Sequence, residues 1–457
     1  MRVRRHCAIV SVLVVAVMFA ACGSSSKKPA TSGSPTTGGA KYTPTKTLGV
    51  GVTASEIKVG ISLVDFECIK QFVDSIRINQ DKNYQVYIDD VNEKGGIAGR
   101  KIVPVYHTFC PIGNAQALSM CTALTEDDKV FAVLGNFVDF SGDAQTCLAK
   151  QHNTVLMTFQ LSKAIIDESP PGLILLPGST PERIDSVLIS LFKKQGTLKG
   201  KKIAILGETT SQKIVKNSVE PGLKTLGIPT GTTAILAISG SDTTAAQTQL
   251  DSFIERWKTE RVTALYITGT QVASQQFVEK VRAEMPDITL LSDIGDVLGF
   301  AQQEEHVGKN PNPYEGIITA GGPTAAEYTD SANWKYCSDI YEKQTGKKPP
   351  TALDTVPGPG GKTLDTYGSI NDACQLVTLF HDVATKVGQY LNVDNWVHTV
   401  DTYGPIRNMG GGQFASLRAG KYDIDDTFRL EAYSSSLPPK GKGNWDPLTD
   451  LANIPGS

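Results

Sequence analysis

Residues 56–63 read EIKVGISL, and residues 87–108 read YIDDVNEKGGIAGRKIVPVYHT. The first stretch is a β-branched apolar run of strand type. Around the start of the second, Tyr84, Tyr87, Ile88 and Val91 recur at i, i+3, i+4 and i+7, which puts them on one face of a helix. Lys94-Gly95-Gly96 ends that helix, because Gly95 accepts the left-handed backbone of a C-cap. A second strand-type run, IVPVYHT at 102–108, follows at once. Strand, helix, turn and strand in this order make a βαβ unit with its strands parallel in one sheet.

The pattern continues outward from this unit. VFAVLG (130–135) and TVLMT (154–158) read as further strands with helical stretches between them. After Pro/Gly punctuation at 170–181 a second series opens on the stripe Ile184, Val187, Leu188, Leu191 and Phe192. It runs through KIAILG (202–207), a helix near 211–226, TAILAI (233–238) and a helix carrying Leu250, Phe253, Ile254 and Trp257. ALYITG (264–269), a helix near 271–285 and ITLLSD (288–293) complete it. A third section starts at GIITAGG (316–322) and predicts helices near 327–345 and 371–389. Between them, 346–370 is rich in Gly and Pro and long for a loop, so it reads as an insertion or flap. After about 396 come the turn Gly410-Gly411-Gly412, a strand-like TFRLEAY (427–433) and a tail read as irregular. Two α/β units and a return section imply several crossings between lobes, which makes a hinge.

The chain has 457 residues, 40% hydrophobic and 20% charged, with net charge −3. That balance lacks the basic excess that nucleic-acid binding calls for. Arg2, Arg4 and Arg5 precede the apolar run Ala8 to Ala21, which falls short of the roughly 20 residues that span a bilayer. Phe19-Ala20-Ala21-Cys22-Gly23 resembles a bacterial lipoprotein lipobox, with Phe19 where Leu is usual. The resemblance implies a signal peptide over 1–21 and lipidation of Cys22; an ordinary secretory signal with a chance cysteine is the alternative. Residues 23–45, GSSSKKPATSGSPTTGGAKYTPT, hold almost no aliphatic side chain and read as a flexible tether, placed over 22–51. Loss of 1–21 removes three arginines and no acid, so the mature charge moves from −3 to −6. Past Cys7 and Cys22, six cysteines remain: Cys68, Cys110, Cys121, Cys147, Cys337 and Cys374. An even set outside the cytoplasm points to disulfides, with buried free thiols as the alternative.

Catalytic patterns are absent. Residues 356–363, VPGPGGKT, end like a P-loop, but the first position is Val and no apolar strand precedes them, so they read as a loop. Neither GxSxG nor HExxH occurs. The six histidines are scattered with no pair at ligand spacing, and no CxxC exists, so neither a metal nor a cofactor is expected. Asp89/Asp90 and Asp127/Asp128 sit on polar faces or at helix ends. Glycosidase carboxylates pair in space, so the sequence alone leaves them open.

EIKVGISL together with the helix and the turn into GRKI closely resembles type I periplasmic binding proteins, nearest to the branched-chain amino acid (Leu/Ile/Val) and amide-binding family of ABC transporters. Asn92, Gly95, Gly96, Gly99, Arg100 and Lys101 carry the match. AVLGNF (132–137), KGKKIAILGE (199–208) and EGIITAGGP (315–323) extend it, and it covers roughly 52–433. The resemblance implies an α/β fold of two doubly wound Rossmann-like lobes joined by three crossovers. It divides the chain into 52–172 with 316–395, 173–315 with 396–437, and a tail at 438–457. It also puts Cys68 with Cys110, Cys121 with Cys147, and Cys337 with Cys374 on neighbouring elements, and these three pairs are expected.

In such a fold the ligand lies beyond the carboxyl ends of the strands. Asp65 and Phe66 follow the first strand, Phe137, Val138 and Asp139 the third, and Gln160 to Ser162 the fourth. The family's amino-acid binders supply Ser from the third-strand loop and Ser or Thr from the fourth. Ser162 matches the latter, while Asp139 stands where the former is expected. A carboxylate there repels a substrate carboxylate and attracts an ammonium or amide; the alternative for Asp139 is a helix N-cap. In the second lobe Glu208, Thr270, Gln271 and Asp293 end strands, and Gln212 stands where the family has a ligand-stacking Tyr. Each of these has a turn or cap role as its alternative.

The resemblance implies an exported, monomeric solute-binding protein, lipid-anchored to the outer face of the cytoplasmic membrane. It would capture a small amino acid or amide-like solute by hinge closure and present it to an ABC permease, with no bond made or broken. A ligand-sensing receptor of the same fold, a binder of another solute and an exported glycosidase are the alternatives.

Overall fold

The first sheet follows directly from the runs quoted above. Its strands are β1 (Glu56–Val64), β2 (Lys101–Phe109), β3 (Ala132–Gly135), β4 (Val155–Met157) and β5 (Ile174–Leu175), all parallel, in the order β2-β1-β3-β4-β5. The computed structural model describes residues 42–455 apart from 71–72, 74, 137–141, 160, 239–242, 295–296, 304–311, 355 and 439–441, and residues 44–457 form one compact unit. Cys22 and the expected signal peptide, 1–21, lie outside the described residues.

Helix α1 (Gln80–Glu93) carries the expected stripe: Tyr84, Tyr87 and Ile88 are buried against β1. Its end meets the predicted turn, with Gly95 at φ 101° and Gly96 at φ 68°. Helices α2 (Ala115–Thr122) and α3 (Lys163–Glu168) follow β2 and β4. Ile57, Val59 and Ile61 of β1 are fully buried, each contributing about 1.5–3 kcal/mol.

The second sheet contains β6 (Ile203–Glu208), β7 (Thr230–Leu236), β8 (Ala264–Thr268), β9 (Thr289–Ser292), β10 (Ile318–Gly321), β11 (Thr427–Ser434) and β12 (Asn444–Pro447). Its order is β12-β11-β10-β9-β8-β6-β7, with a short strand at Ala452–Asn453 also on β11. β6 to β10 are parallel, and β11 and β12 are antiparallel additions. Successive residues of β8 face opposite sides. Leu265 and Ile267 pack with α5 (Thr244–Glu260) and α6 (Gln275–Glu284), and Tyr266 packs with α4 (Pro181–Gln195).

Helices α7 (Ala332–Thr345), α8 (Thr366–Val387) and α9 (Val393–Asp401) return to the first sheet. Tyr87 donates to the Cys337 carbonyl at 3.0 Å, and Asn83 to Ser369 at 2.9 Å, so α1 meets both α7 and α8. All three expected disulfides are present, with Cα separations of 5.8 Å (Cys68–Cys110), 6.3 Å (Cys121–Cys147) and 5.8 Å (Cys337–Cys374).

The chain passes between the sheets three times: after β5, after β10 and after α9. The first and third passages run side by side. Leu176 N–H donates to the Tyr422 carbonyl at 2.9 Å and Ile424 N–H to the Leu176 carbonyl at 2.9 Å.

Several expected boundaries differ. β10, assigned to the first lobe with 316–395, pairs with β9 and β11 in the second sheet. β5, assigned to the second lobe with 173–315, belongs to the first sheet. α9 crosses the expected boundary at 395/396, and its Trp396, assigned to the second lobe with 396–437, is buried against Phe131 and Phe380 of the first core. Both sheets draw on the same Ile/Val-rich strand type, so composition does not tell which sheet a strand joins. The stretch 438–457, read as an irregular tail, supplies β12 and the strand at Ala452–Asn453, whose backbone groups satisfy the edge of β11. The tether ends earlier than 51. Thr45 N–H donates to Asn395 Oδ1 at 3.0 Å, Asn392 Nδ2 to the Thr47 carbonyl at 2.8 Å, and Gly49 N–H to the Leu391 carbonyl at 2.8 Å. The insertion 346–370 holds a hairpin, Val356–Pro357 with Thr363–Leu364, whose second strand pairs with Ser75–Ile76.

Candidate functional site

Strand order β2-β1-β3-β4-β5 reverses direction between β1 and β3. The order β7-β6-β8-β9-β10 does the same between β6 and β8. In open α/β sheets these reversals open a crevice at the carboxyl ends of the strands.

At the first reversal, Asp65 caps the short helix Phe66–Ile69, accepting from Glu67 N–H at 3.0 Å and Cys68 N–H at 3.3 Å. Its carboxylate is thereby occupied by its own helix, and Phe66 is half-buried against the first core. Asn136, next after β3, donates to Asp372 of α8 at 2.6 Å, and Arg77 binds both Asp372 and Asp365. Burial pushes the Asp372 carboxyl up, while the Arg77 guanidinium opposes that rise. Phe137, Val138, Asp139 and Gln160 lie outside the described residues. Ser162 takes the N-cap position of α3 without a side-chain cap bond.

At the second reversal, Glu208 accepts from Gln271 N–H at 2.9 Å, Val272 N–H at 3.2 Å and the Thr210 hydroxyl at 2.7 Å. Its carboxylate is therefore filled by the loop after β8, and Glu208 and Gln271 meet through that backbone contact. Thr270 is half-buried, and the Gln271 and Gln212 side chains are exposed. Asp293, expected at the cleft surface, is only 1% exposed and accepts from the Thr268 hydroxyl at 2.7 Å. Burial pushes its carboxyl up to about 7.

A cavity of about 370 Å³ lies where the two lobes meet. Lys163 and Asp167 come from α3 beyond β4, Glu182 and Arg183 from α4, Lys213 and Ser218 from the helical run after β6, and Lys421 to Asp423 from the third passage. The expected residues Ser162 and Gln212 each directly precede a lining lysine, but among the described residues none of the expected ones lines the cavity itself. Glu182 reaches across to accept Lys163 N–H at 2.9 Å, and Lys163 pairs with Asp167 at 2.7 Å. Beneath them Arg183 binds Asp423 at 3.2 Å and Asp426 at 2.5 Å. Burial, reinforced by the Arg183 guanidinium, pushes the Lys421 amine down to about 8. Lys213 is exposed and enters no ion pair among the described residues. A larger, more open hollow of about 900 Å³ is bordered by Pro323, two residues past β10, and by Glu327, His381, Asp382 and Arg407.

The cavity residues escaped the sequence reading because that reading followed strand ends alone. Thr180-Pro181-Glu182-Arg183 carries a helix-start signal, an N-cap followed by Pro and an acid, which marks where the first passage enters α4.

No protein-family model and no curated protein sequence matches the chain. Solved structures do match. A solute-binding protein of an ABC transporter from Rhodopseudomonas palustris BisB5, in complex with 3,4-dihydroxybenzoic acid, is 16% identical with TM-score 0.56, over 87% of this chain and 98% of that one. A fatty acid ABC transporter substrate-binding protein from Thermomonospora curvata is 15% identical with TM-score 0.58, over 89% and 94%. A leucine-, isoleucine-, valine-, threonine- and alanine-binding protein from Brucella ovis, in its closed conformation, is 12% identical with TM-score 0.60, over 88% and 96%. The chain thus has the two-lobed α/β fold of type I periplasmic binding proteins.

Proposed function

We propose that the protein is the extracytoplasmic substrate-binding component of an ABC importer, which captures a small carboxylate-bearing solute, an amino acid or amide-like molecule, between its lobes. The cavity supports this reading: elements beyond the carboxyl ends of both sheets wall one space of about 370 Å³, next to two passages that run side by side as a hinge. Closure about that hinge buries the solute, and the solute stabilises the closed form only through contacts that the open form lacks. The neighbours' ligands, a benzoic acid, a fatty acid and amino acids, all carry a carboxyl group. The ammonium groups of Lys163 and Lys213, one from each lobe, suit such a group.

In this proposal Cys22 anchors the mature chain to the outer face of the cytoplasmic membrane, the chain works as a monomer, and its partner is an ABC permease. Asp65, Phe66, Phe137, Val138, Asp139, Gln160, Ser162, Glu208, Gln212, Thr270 and Gln271 remain the proposed solute-facing positions on closure. Asp293, buried beneath them, does not reach the solute.

Thermal unfolding of the mature protein with amino acids, amides, hydroxybenzoates and short fatty acids tests the reading. A solute at about 100 times its dissociation constant adds about 2.7 kcal/mol of stability. Lys213→Met then weakens that solute about tenfold, or about 1.4 kcal/mol. Silence across the whole panel, or conversion of a solute to product, refutes the proposal.

A further inference from the structure

Behind the cavity wall lie two carboxyl groups that solute capture does not use. Asp185 of α4 is fully buried and Asp293, just past β9, is 1% exposed. Tyr266 of β8 donates its hydroxyl to Asp185 Oδ1, and Thr268, two residues on along the same face, donates to Asp293 Oδ2 at 2.7 Å. The other two oxygens, Asp185 Oδ2 and Asp293 Oδ1, are buried and meet no donor among the described residues. Tyr266 and Thr268 stand on one face of β8, so the two carboxyls they hold are neighbours, and each affects the other's ionisation. Two facing anions without water or a cation are strongly disfavoured, and a proton between the orphaned oxygens satisfies both.

Among the described residues the surroundings add no compensating charge. Tyr266 faces the pair from β8, the Ser218 hydroxyl of the helical run after β6 donates to the Glu182 carbonyl at 3.4 Å, and the Glu182 side chain of α4 adds a negative charge near Asp293. Arg183, next along α4, is committed to Asp423 and Asp426. Among the described residues, neither Asp185 nor Asp293 takes part in an ion pair.

We propose that Asp185 and Asp293 share a proton and act as a positioning pair, which holds α4 and the helical run after β6, and with them the second lobe's wall of the cavity, against β8 and β9. Ser218 links the two regions, since it lines the cavity and donates its hydroxyl to the Glu182 carbonyl of α4 at 3.4 Å. The proposal stands whether or not the cavity binds a solute.

Burial and the facing carboxylate raise Asp185 well above the usual range, and burial raises Asp293 to about 7. An unfolded aspartate titrates near about 3.9, so the folded chain holds more protons than the unfolded one above that pH. The stabilisation is therefore fully present below about pH 4 and declines as pH rises through about 7, where Asp293 ionises, with the part held by Asp185 lost where that carboxyl ionises in turn.

Urea unfolding of the mature protein from about pH 5 to about pH 8 tests the pair, because the slope of stability against pH counts the protons held on folding. In Asp293→Asn the amide donates to Asp185 and its carbonyl still accepts from Thr268, so no shared proton is needed. The slope then falls by about one proton and the variant gains most over the wild type at the alkaline end. Asp185→Asn, with the same logic from the other side, serves where the first variant folds poorly. In the wild type, hydrogen-exchange protection of 182–186 and 215–219, corrected for the chemical rate, drops with rising pH, and the variants remove that drop. Slopes equal to the wild type in both variants, or a loss of stability that is the same at every pH, overturn the proposal.

Discussion

The Glu208 carboxylate accepts the backbone N–H of Gln271 at 2.9 Å, so a side chain ending β6 holds the loop that ends β8. Gly269 makes the approach possible. It has φ 115°, and a Cβ there would meet Glu208 Cγ at 2.6 Å. Glu208→Gln keeps the size but turns one acceptor into an N–H that faces other N–H groups. An unsatisfied buried group costs about 1–3 kcal/mol, and that loss is expected in urea unfolding, with faster amide exchange at 270–273. Unchanged stability and exchange would show that the cradle is replaceable by water.

Gly96 tests the turn on which the fold reading began. Its φ is 68°, and a Cβ there would lie 2.0 Å from the Arg100 carbonyl oxygen. Gly95 has φ 101° but open space around it. Both alanine variants suffer left-handed strain, but only Gly96→Ala also collides with backbone that is hydrogen-bonded to Ile97. Gly96→Ala is expected to destabilise by roughly 2–4 kcal/mol and Gly95→Ala by about 1 kcal/mol, read from denaturation midpoints. Equal losses at both positions would argue that conformation, not collision, governs this turn.

This turn also shows why much of the fold was legible. Asn92, Gly96 and Arg100 each meet a backbone demand that few other residues satisfy: Asn92 brackets Ile102 with both amide atoms, and Arg100 ties the Thr53 and Gln389 carbonyls together. The site was less legible because cleft residues answer to partners far away in sequence. Asp65 and Glu208 stand at strand ends as expected, yet local N–H groups occupy their carboxylates. Asp293 stands at a strand end and points inward, an outcome set by Thr268 on a neighbouring strand and Asp185 on a preceding helix. Arg183 and Asp423, some 240 positions apart, meet only because two passages run side by side.

The Cys337–Cys374 bridge ties α7 to α8 where both cover α1. It closes a separation of 37 residues, which in the chain-entropy picture is worth about 4 kcal/mol through the unfolded state. Replacing both cysteines by alanine is expected to lower stability by about 2–4 kcal/mol while far-ultraviolet circular dichroism stays unchanged. Production in a reducing cytoplasm, which leaves all three bridges open, should give a larger loss, reversed on oxidation. A double variant as stable as the parent would show that packing of α7 on α8 suffices.

Arg183 holds together parts of the chain that meet only in the folded state. It binds Asp423 on the third passage, Asp426 at the start of β11, and the Ile454 carbonyl at 3.0 Å beside the last strand. Its guanidinium also lies 5.6 Å from the Phe428 ring centre. Arg183→Met keeps much of that packing but leaves two buried carboxylates with only Lys421 as counter-charge. Removing one partner of a buried ion pair costs about 3–5 kcal/mol. The sign of the pH effect follows. Burial already raises Asp423 while Arg183 pulls it down, so its loss lets the carboxyl rise further and bind a proton in the folded state. The deficit should therefore be largest near about pH 8 and shrink toward about pH 4, where protonated carboxyls need no cation. Lys421, held down to about 8 partly by the same guanidinium, rises in the variant and recovers some of the loss on the alkaline side. Urea unfolding across this range decides the matter: a deficit that does not change with pH would mean that the arginine acts through packing on Phe428 and the Ile454 contact, not through charge.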